Sequence, residues 1–181
     1  MNQDISHLSL KGLIERLKGN VPDIPRPQVI EAVQRLIITG EEIAEHSSFG
    51  EHRYSRNLVV RDKRFEILIL CWKSGQRSLI HDHGGSFGVV KVLRGILTES
   101  SFVSALNGMI KPEGSRDYRA GDVQIEEPCT IHQVSNLQPE RCDAVSLHVY
   151  VPPLRAMNIY RLYDVEVRSG SAELYNYGSG I

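Results

Sequence analysis

From Tyr54 onward the chain is a succession of short strand-forming runs, and no other feature limits its fold as much. The runs fall at residues 57–60, 65–72, 88–93, 96–102, 122–125 and 146–151. Glycine and proline interrupt them at short intervals, the pattern of an antiparallel barrel or jelly roll. The N-terminal part is different, because residues 7–46 read as helices. Leu10, Leu13, Ile14 and Leu17 keep the spacing of one helical face. Ser9 is placed to cap that helix, and Gly19-Asn20-Val21-Pro22 to end it. After Pro25-Arg26-Pro27, a second stripe of Val29, Ile30, Val33, Leu36 and Ile37 runs to a stop at Gly40. These helices are expected to pack against the outside of the β unit. Residues 160–177 read as a closing hairpin that turns at Ser169-Gly170-Ser171. With no repeat, low-complexity segment or long linker, residues 1–181 form a single domain: a helical part at 1–50, then a β-barrel and C-terminal hairpin at 54–181.

A chain of 181 residues is long enough to bury a real core. Its apolar fraction of 41% and charged fraction of 24% are ordinary for a soluble globular protein. The net charge of -1 and the lack of a basic tract argue against nucleic acid or an anionic membrane as partner. No apolar run reaches the ~18 residues of a membrane span, and Met1-Asn2-Gln3-Asp4 does not open a signal peptide. Three cysteines, an odd number without a CxxC pair, fit a reduced cytoplasm rather than a disulfide scaffold. Cys71, inside an apolar run, reads as a small buried hydrophobe. A monomer is expected.

The chemistry points to His81, His83 and His132. On a strand, residues i and i+2 face the same way, so His81 and His83 present two imidazoles side by side. An imidazole from a later strand, His132, completes one face of a metal and leaves the opposite positions open for substrate or oxygen. Asp82, between the two, points away from the ligands, outward or toward a neighbour that it orients. His7, His46 and His52 lie in polar surroundings and are expected to be exposed.

These residues resemble the two motifs of the cupin barrel. The first motif is a glycine, five residues, His-x-His, a short spacer, usually glutamate, six residues and glycine. Gly75, His81, His83 and Gly95 fit it, but Gly88 stands where the glutamate belongs. The second motif runs from Gly121 to His132 and Asn136, with its proline displaced by one at Glu127-Pro128. The expected site therefore has three histidines, keeps the full charge of its ion, and has spare volume at Gly88.

Within cupins, the blocks Tyr54-Ser55-Arg56-Asn57-Leu58-Val59, Leu70-Cys71-Trp72, Ile80-His81-Asp82-His83 and Ser146-Leu147-His148-Val149-Tyr150-Val151-Pro152-Pro153 resemble cysteine dioxygenase. The resemblance implies an Fe(II) enzyme that adds both atoms of O2 to the sulfur of L-cysteine, giving cysteine sulfinic acid. That activity belongs to cysteine and taurine/sulfinate metabolism. His81, His83 and His132 would hold the metal. Arg56 would bind the substrate carboxylate through two parallel hydrogen bonds, and Tyr54 would line the same pocket. Ser146, His148 and Tyr150 alternate on one strand face and would form a hydrogen-bonded relay, with the Tyr150 hydroxyl reaching into the site. Animal members carry a cysteine crosslinked to the equivalent tyrosine. With Gly88 in that place, no crosslink is expected here, as in bacterial-type members. The Val151-Pro152 bond is cis in that family.

Two alternatives stay open. One is a dioxygenase for 3-mercaptopropionate or another small thiol such as cysteamine. The family's arginine position is expected to hold glutamine in enzymes for 3-mercaptopropionate, so Arg56 favours L-cysteine. The other is a non-catalytic metal-binding cupin, which has little need of the relay. Imidazoles also suit zinc, nickel or copper.

Overall fold

A computed structural model describes residues 7–19 and 23–171. Three short helices come first: α1 (Leu10–Lys18), α2 (Arg26–Gln34) and α3 (Gly40–Glu45). The strands are β1 (Ser55–Arg61), β2 (Glu66–Trp72), β3 (Ile80–His81), β4 (Phe87–Arg94), β5 (Ile96–Ser104), β6 (Ile110–Arg119), β7 (Val123–Glu126), β8 (Ile131–Ser135), β9 (Ala144–Val151), β10 (Ala156–Tyr160) and β11 (Arg168–Ser171). They form two sheets, ordered β1-β2-β9-β4-β7 and β11-β10-β3-β8-β5-β6. All the strand pairs are antiparallel. This is the cupin jelly roll. The Val151-Pro152 bond after β9 is cis.

Every residue of β2 is buried, and alternation explains why. Ile67, Ile69 and Cys71 of β2, with Val145, Leu147 and Val149 of β9, turn outward onto Leu13, Leu17, Val29 and Val33 of the helices. Leu68, Leu70 and Trp72 turn inward, toward Leu97, Val134, Met157 and Ile159 of the opposite sheet. A strand covered on both faces has no polar side, so β2 reads as a continuous apolar run. Lys91, on the outward face of β4, ties the helices down. Its Nζ donates to the carbonyls of Val33, Gln34 and Leu36 at 3.3, 3.0 and 2.6 Å. The last carbonyls of a helix have no partner within it, so a buried ammonium there satisfies both sides.

Two expectations need correction. The second helix ends at Gln34 and does not run to Gly40. Leu36 instead bridges to Leu8, and Gly40 opens α3 behind a Thr39–Glu42 capping box. The C-terminal hairpin turns at residues 161–167, because Ser169-Gly170-Ser171 lies inside β11, paired with β10. The rest of that expected hairpin, residues 172–177, lies outside the described residues. Strands β3, β6 and β8 carry no clear apolar signal: β3 has two residues, and nearly all of β6 is exposed.

Glycine is required where β4 turns into β5. Gly95 has φ +77°, and a Cβ there would lie 2.8 Å from the Asp143 carbonyl.

Candidate metal centre and active site

Strand pairing gathers the three histidines. His81 of β3 is the direct cross-strand partner of His132 of β8, and His83 follows two residues after His81. One nitrogen from each ring lies within 4.8 Å of the others. All three rings are buried. His81 Nδ1 meets the Leu79 carbonyl at 2.9 Å, and His132 Nδ1 meets Glu99 Oε1 at 2.8 Å. Those partners assign the proton to Nδ1 in both rings and the lone pair to Nε2. His132 Nε2 is buried with no hydrogen-bond partner among the described residues. An orphaned acceptor among imidazoles fits a divalent ion that accepts nitrogen ligands. Burial, reinforced by the His132 ring, lowers the His81 pKa to about 3. The same two causes hold His83 well below its ordinary range. Both rings are therefore neutral, the form that binds metal.

Asp82 orients its surroundings and is not outward-facing. It is buried, and its carboxylate accepts from the backbone of Gly84 and Asn158, from Asn158 Nδ2 and from the Tyr160 hydroxyl. Burial alone would raise its pKa, but these bonds outweigh burial and keep it low. The loop joining His81 to His83 is thus pinned to β10. Of the other histidines, His7 and His52 are exposed, and His46 is half-buried.

The expected spare volume at Gly88 is absent. Gly88 is the cross-strand partner of Tyr150 on one side and of Glu126 on the other. A Cβ at Gly88 would lie 3.0 Å from Glu126 Cβ and 3.1 Å from Tyr150 Cε1. Nor is the histidine cluster free of carboxylates. Glu99 and Glu126 both approach the Nδ1 edge of His132, at 2.8 and 3.4 Å. Burial pushes the Glu126 pKa up to about 7, opposed by His132 and reinforced by Glu99. Burial would lower the His132 pKa, but the Glu126 and Glu99 charges raise it above its ordinary value.

Along β9 the inward side chains form a relay, and β2 extends it. Trp72 Nε1 donates to Ser146 Oγ at 3.0 Å. Ser146 Oγ lies 2.8 Å from His148 Nε2, and His148 Nδ1 lies 3.1 Å from the Tyr150 hydroxyl. Indole can only donate, so Ser146 Oγ accepts from it, and the direction of the next two bonds follows the His148 tautomer. His148 thus joins Ser146 at one ring nitrogen to the Tyr150 hydroxyl at the other. Burial, aided by the Arg56 charge, keeps His148 neutral. Burial also raises the Tyr150 pKa, so the phenol keeps its proton. The Arg56 guanidinium acts on both His81 and His148. Its Nε is buried with no partner among the described residues. Tyr54 stacks on Trp72, with ring centroids 4.2 Å apart, and its ring is close enough to influence Tyr150.

The histidine trio, Arg56, Tyr54 and the Ser146–His148–Tyr150 face therefore converge on the same part of the barrel interior. Sequence reasoning gave Trp72 no part in the relay and missed Glu99 and Glu126. The available signal was a polar or hydrogen-bonding residue at an inward strand position, as at Glu99 two residues after the buried Leu97.

Comparison with known proteins bears on the fold and the family. The solved structure of a Klebsiella pneumoniae protein with a double-stranded β-helix domain superposes with a TM-score of 0.50 at 19% identity, covering 66% of this chain and 94% of that one. A Thermus thermophilus protein gives 0.52 at 18% identity, covering 61% and 94%. These two likenesses concern the fold. The human protein named cysteine dioxygenase type 1 is 36% identical over 133 residues, spanning 68% of this chain and 66% of the relative. The match thus spans just under two thirds of the human protein's length. The protein of the same name from Danio rerio is 32% identical over 140 residues, spanning 72% and 69%. The family model for cysteine dioxygenase type I matches residues 18–162, a stretch that holds every residue of the site described above. The chain belongs to the cysteine dioxygenase type I family.

Proposed function

We propose that this protein is a non-haem iron(II) thiol dioxygenase that oxidises L-cysteine with O2 to cysteine sulfinic acid. The observation that carries this reading is one juxtaposition: three clustered, buried imidazoles, an arginine with an unpartnered Nε, and a tyrosine hydroxyl held in a buried relay. His81, His83 and His132 would hold the iron. When bound, iron supplies the redox couple and the positive charge that favour thiolate binding and reaction with O2. The reaction balances without another reductant, since RSH and O2 together make RSO2H.

The remaining work falls to the protein's own side chains. Arg56 binds the substrate carboxylate, and a planar guanidinium can hold it by two parallel bonds. That anchor favours a thiol whose own chain length carries its sulfur from Arg56 to the three histidines. Tyr150 donates its hydroxyl proton toward the reacting groups without giving it up, because burial opposes ionisation. His148 and Ser146 hold that hydroxyl in place, and Trp72 anchors the far end of the relay. Tyr54, stacked on Trp72, walls the pocket. Donors aimed in advance at developing charge cost no reorganisation during reaction.

The test is oxygen consumption by the iron(II)-loaded protein, with L-cysteine and 3-mercaptopropionate in parallel and the product identified by mass. Consumption with L-cysteine well above 3-mercaptopropionate, yielding the sulfinate, supports the proposal. The reverse preference overturns the substrate assignment and points to the small-thiol alternative. An iron-loaded protein that consumes no oxygen with either thiol overturns the L-cysteine assignment and leaves another small thiol or the non-catalytic metal-binding cupin.

A further inference from the structure

We propose that Glu99 and Glu126 are positioning residues that return to the metal centre, one shell removed, the negative charge missing from position 88. This inference rests on the reading of His81, His83 and His132 as ligands. The cupin motif usually places a glutamate where this chain has Gly88. Its cross-strand partner on β7 is Glu126. The carboxylate has in effect moved one strand over, and lies behind His132 rather than beside the ion.

The geometry gives the two carboxylates distinct tasks. Glu99 Oε1, 2.8 Å from His132 Nδ1, accepts the one N–H that this ring offers at that edge. That bond fixes the ring and presents Nε2 to the other histidines. A carboxylate on the far side of a ligating imidazole also makes it a stronger donor. Glu126 stands 3.4 Å from the same nitrogen with its side chain 1% exposed. Neither of its oxygens accepts a hydrogen bond from any described residue. A buried carboxylate without partners is costly, and a second one beside it makes the cost greater. A divalent cation held by His132 and its two neighbouring histidines would offset both. The pair therefore favours the metal-loaded protein at the expense of the metal-free one.

That trade gives effects of opposite sign, which a packing role does not. Glu126→Gln keeps the side-chain shape and removes the charge. The metal-free variant should melt at a higher temperature than the metal-free wild type. Its affinity for Fe(II), measured anaerobically by competition with a chromogenic chelator, should fall by about tenfold or more. Glu126→Asp, which keeps the charge, should recover much of that affinity. Glu99→Gln provides a second test and should also weaken Fe(II) binding. A Glu126→Gln protein that loses melting temperature and affinity together would show Glu126 to be only a packing residue. Unchanged affinity in both glutamine variants would overturn the charge argument. Wild type and His81→Ala serve as the reference pair. Equal Fe(II) binding by those two would overturn the ligand assignment itself, a result distinct from failure of the carboxylate proposal.

Discussion

Gly88 offers a direct check on how tightly the active site is built. Replacing it with alanine adds one methyl group between two fixed neighbours. The new carbon would sit 3.0 Å from Glu126 Cβ and 3.1 and 3.2 Å from Tyr150 Cε1 and Cδ1. Carbon atoms in good contact lie about 3.5–4.0 Å apart. Gly88 is paired in register with both Glu126 and Tyr150, so neither backbone can retreat freely. The Tyr150 ring has to move instead. Overpacking of this kind costs about 1–3 kcal/mol. Replacing glycine regains roughly 0.4–1 kcal/mol through lower entropy of the unfolded chain. Strain wins, with a net loss of about 1–2 kcal/mol. For a chain of this size that lowers the melting temperature by about 2–8 °C. The same displacement disturbs the 3.1 Å contact between His148 Nδ1 and the Tyr150 hydroxyl, so turnover falls too. The assay is thermal denaturation of metal-free Gly88→Ala, Glu126→Gly and the double variant, with turnover measured on the iron-loaded forms. Removing the Glu126 Cβ relieves one of the close contacts, so the Gly88→Ala penalty should shrink by about 0.5 kcal/mol or more in that background. An unchanged melting temperature for Gly88→Ala, or strict additivity in the double variant, would refute the packing argument.

Tyr150→Phe should keep iron but lower kcat by about 100-fold, the scale set by losing one preorganised donor. Trp72→Phe should lower kcat by only several-fold, because removing the indole N–H costs the relay one anchoring bond worth roughly 1 kcal/mol. A Trp72→Phe protein as impaired as Tyr150→Phe would contradict that ordering. Arg56→Gln should cut kcat/KM for L-cysteine by about 10–100-fold, matching the loss of charge-assisted bonds worth roughly 1.5–3 kcal/mol. The loss should be smaller for cysteamine, which lacks the carboxylate, and an equal loss for both thiols would remove Arg56 as the carboxylate reader. His81→Ala should purify with little iron and no turnover, and metal analysis showing full iron content would exclude it as a ligand.

Legibility in the sequence followed the range of the interactions. The i, i+2 spacing of His81 and His83 and the alternation of Ser146, His148 and Tyr150 are local, so they could be read before any fold was known. The strong apolar strands were legible because both of their faces are buried. Strand β6 was not, because its exposed residues carry no apolar alternation. The end of α2 was misplaced for a related reason. Leu36 continues the helical stripe in sequence, but in space it leaves the helix to pair with Leu8. The C-terminal turn was misplaced because Ser-Gly-Ser is turn-prone in isolation, whereas here its residues pair with Ala156, Met157 and Asn158.

The contacts that escaped notice all span long separations. Trp72 reaches Ser146 over 74 positions, and Glu99 reaches His132 over 33. Glu126 takes its meaning from Gly88, its partner across β4 and β7. No motif spacing encodes such pairs, because they exist only once strand order and register are set. The consequence is chemical as well as structural. A motif-level reading counts three neutral imidazoles and a missing glutamate, and so assigns the ion its full charge. Register places two buried carboxylates behind one of those imidazoles and fills the volume that the missing side chain seemed to leave. Two members of this fold with the same histidine motif could therefore differ in the charge their metal experiences, according to what a neighbouring strand presents opposite position 88.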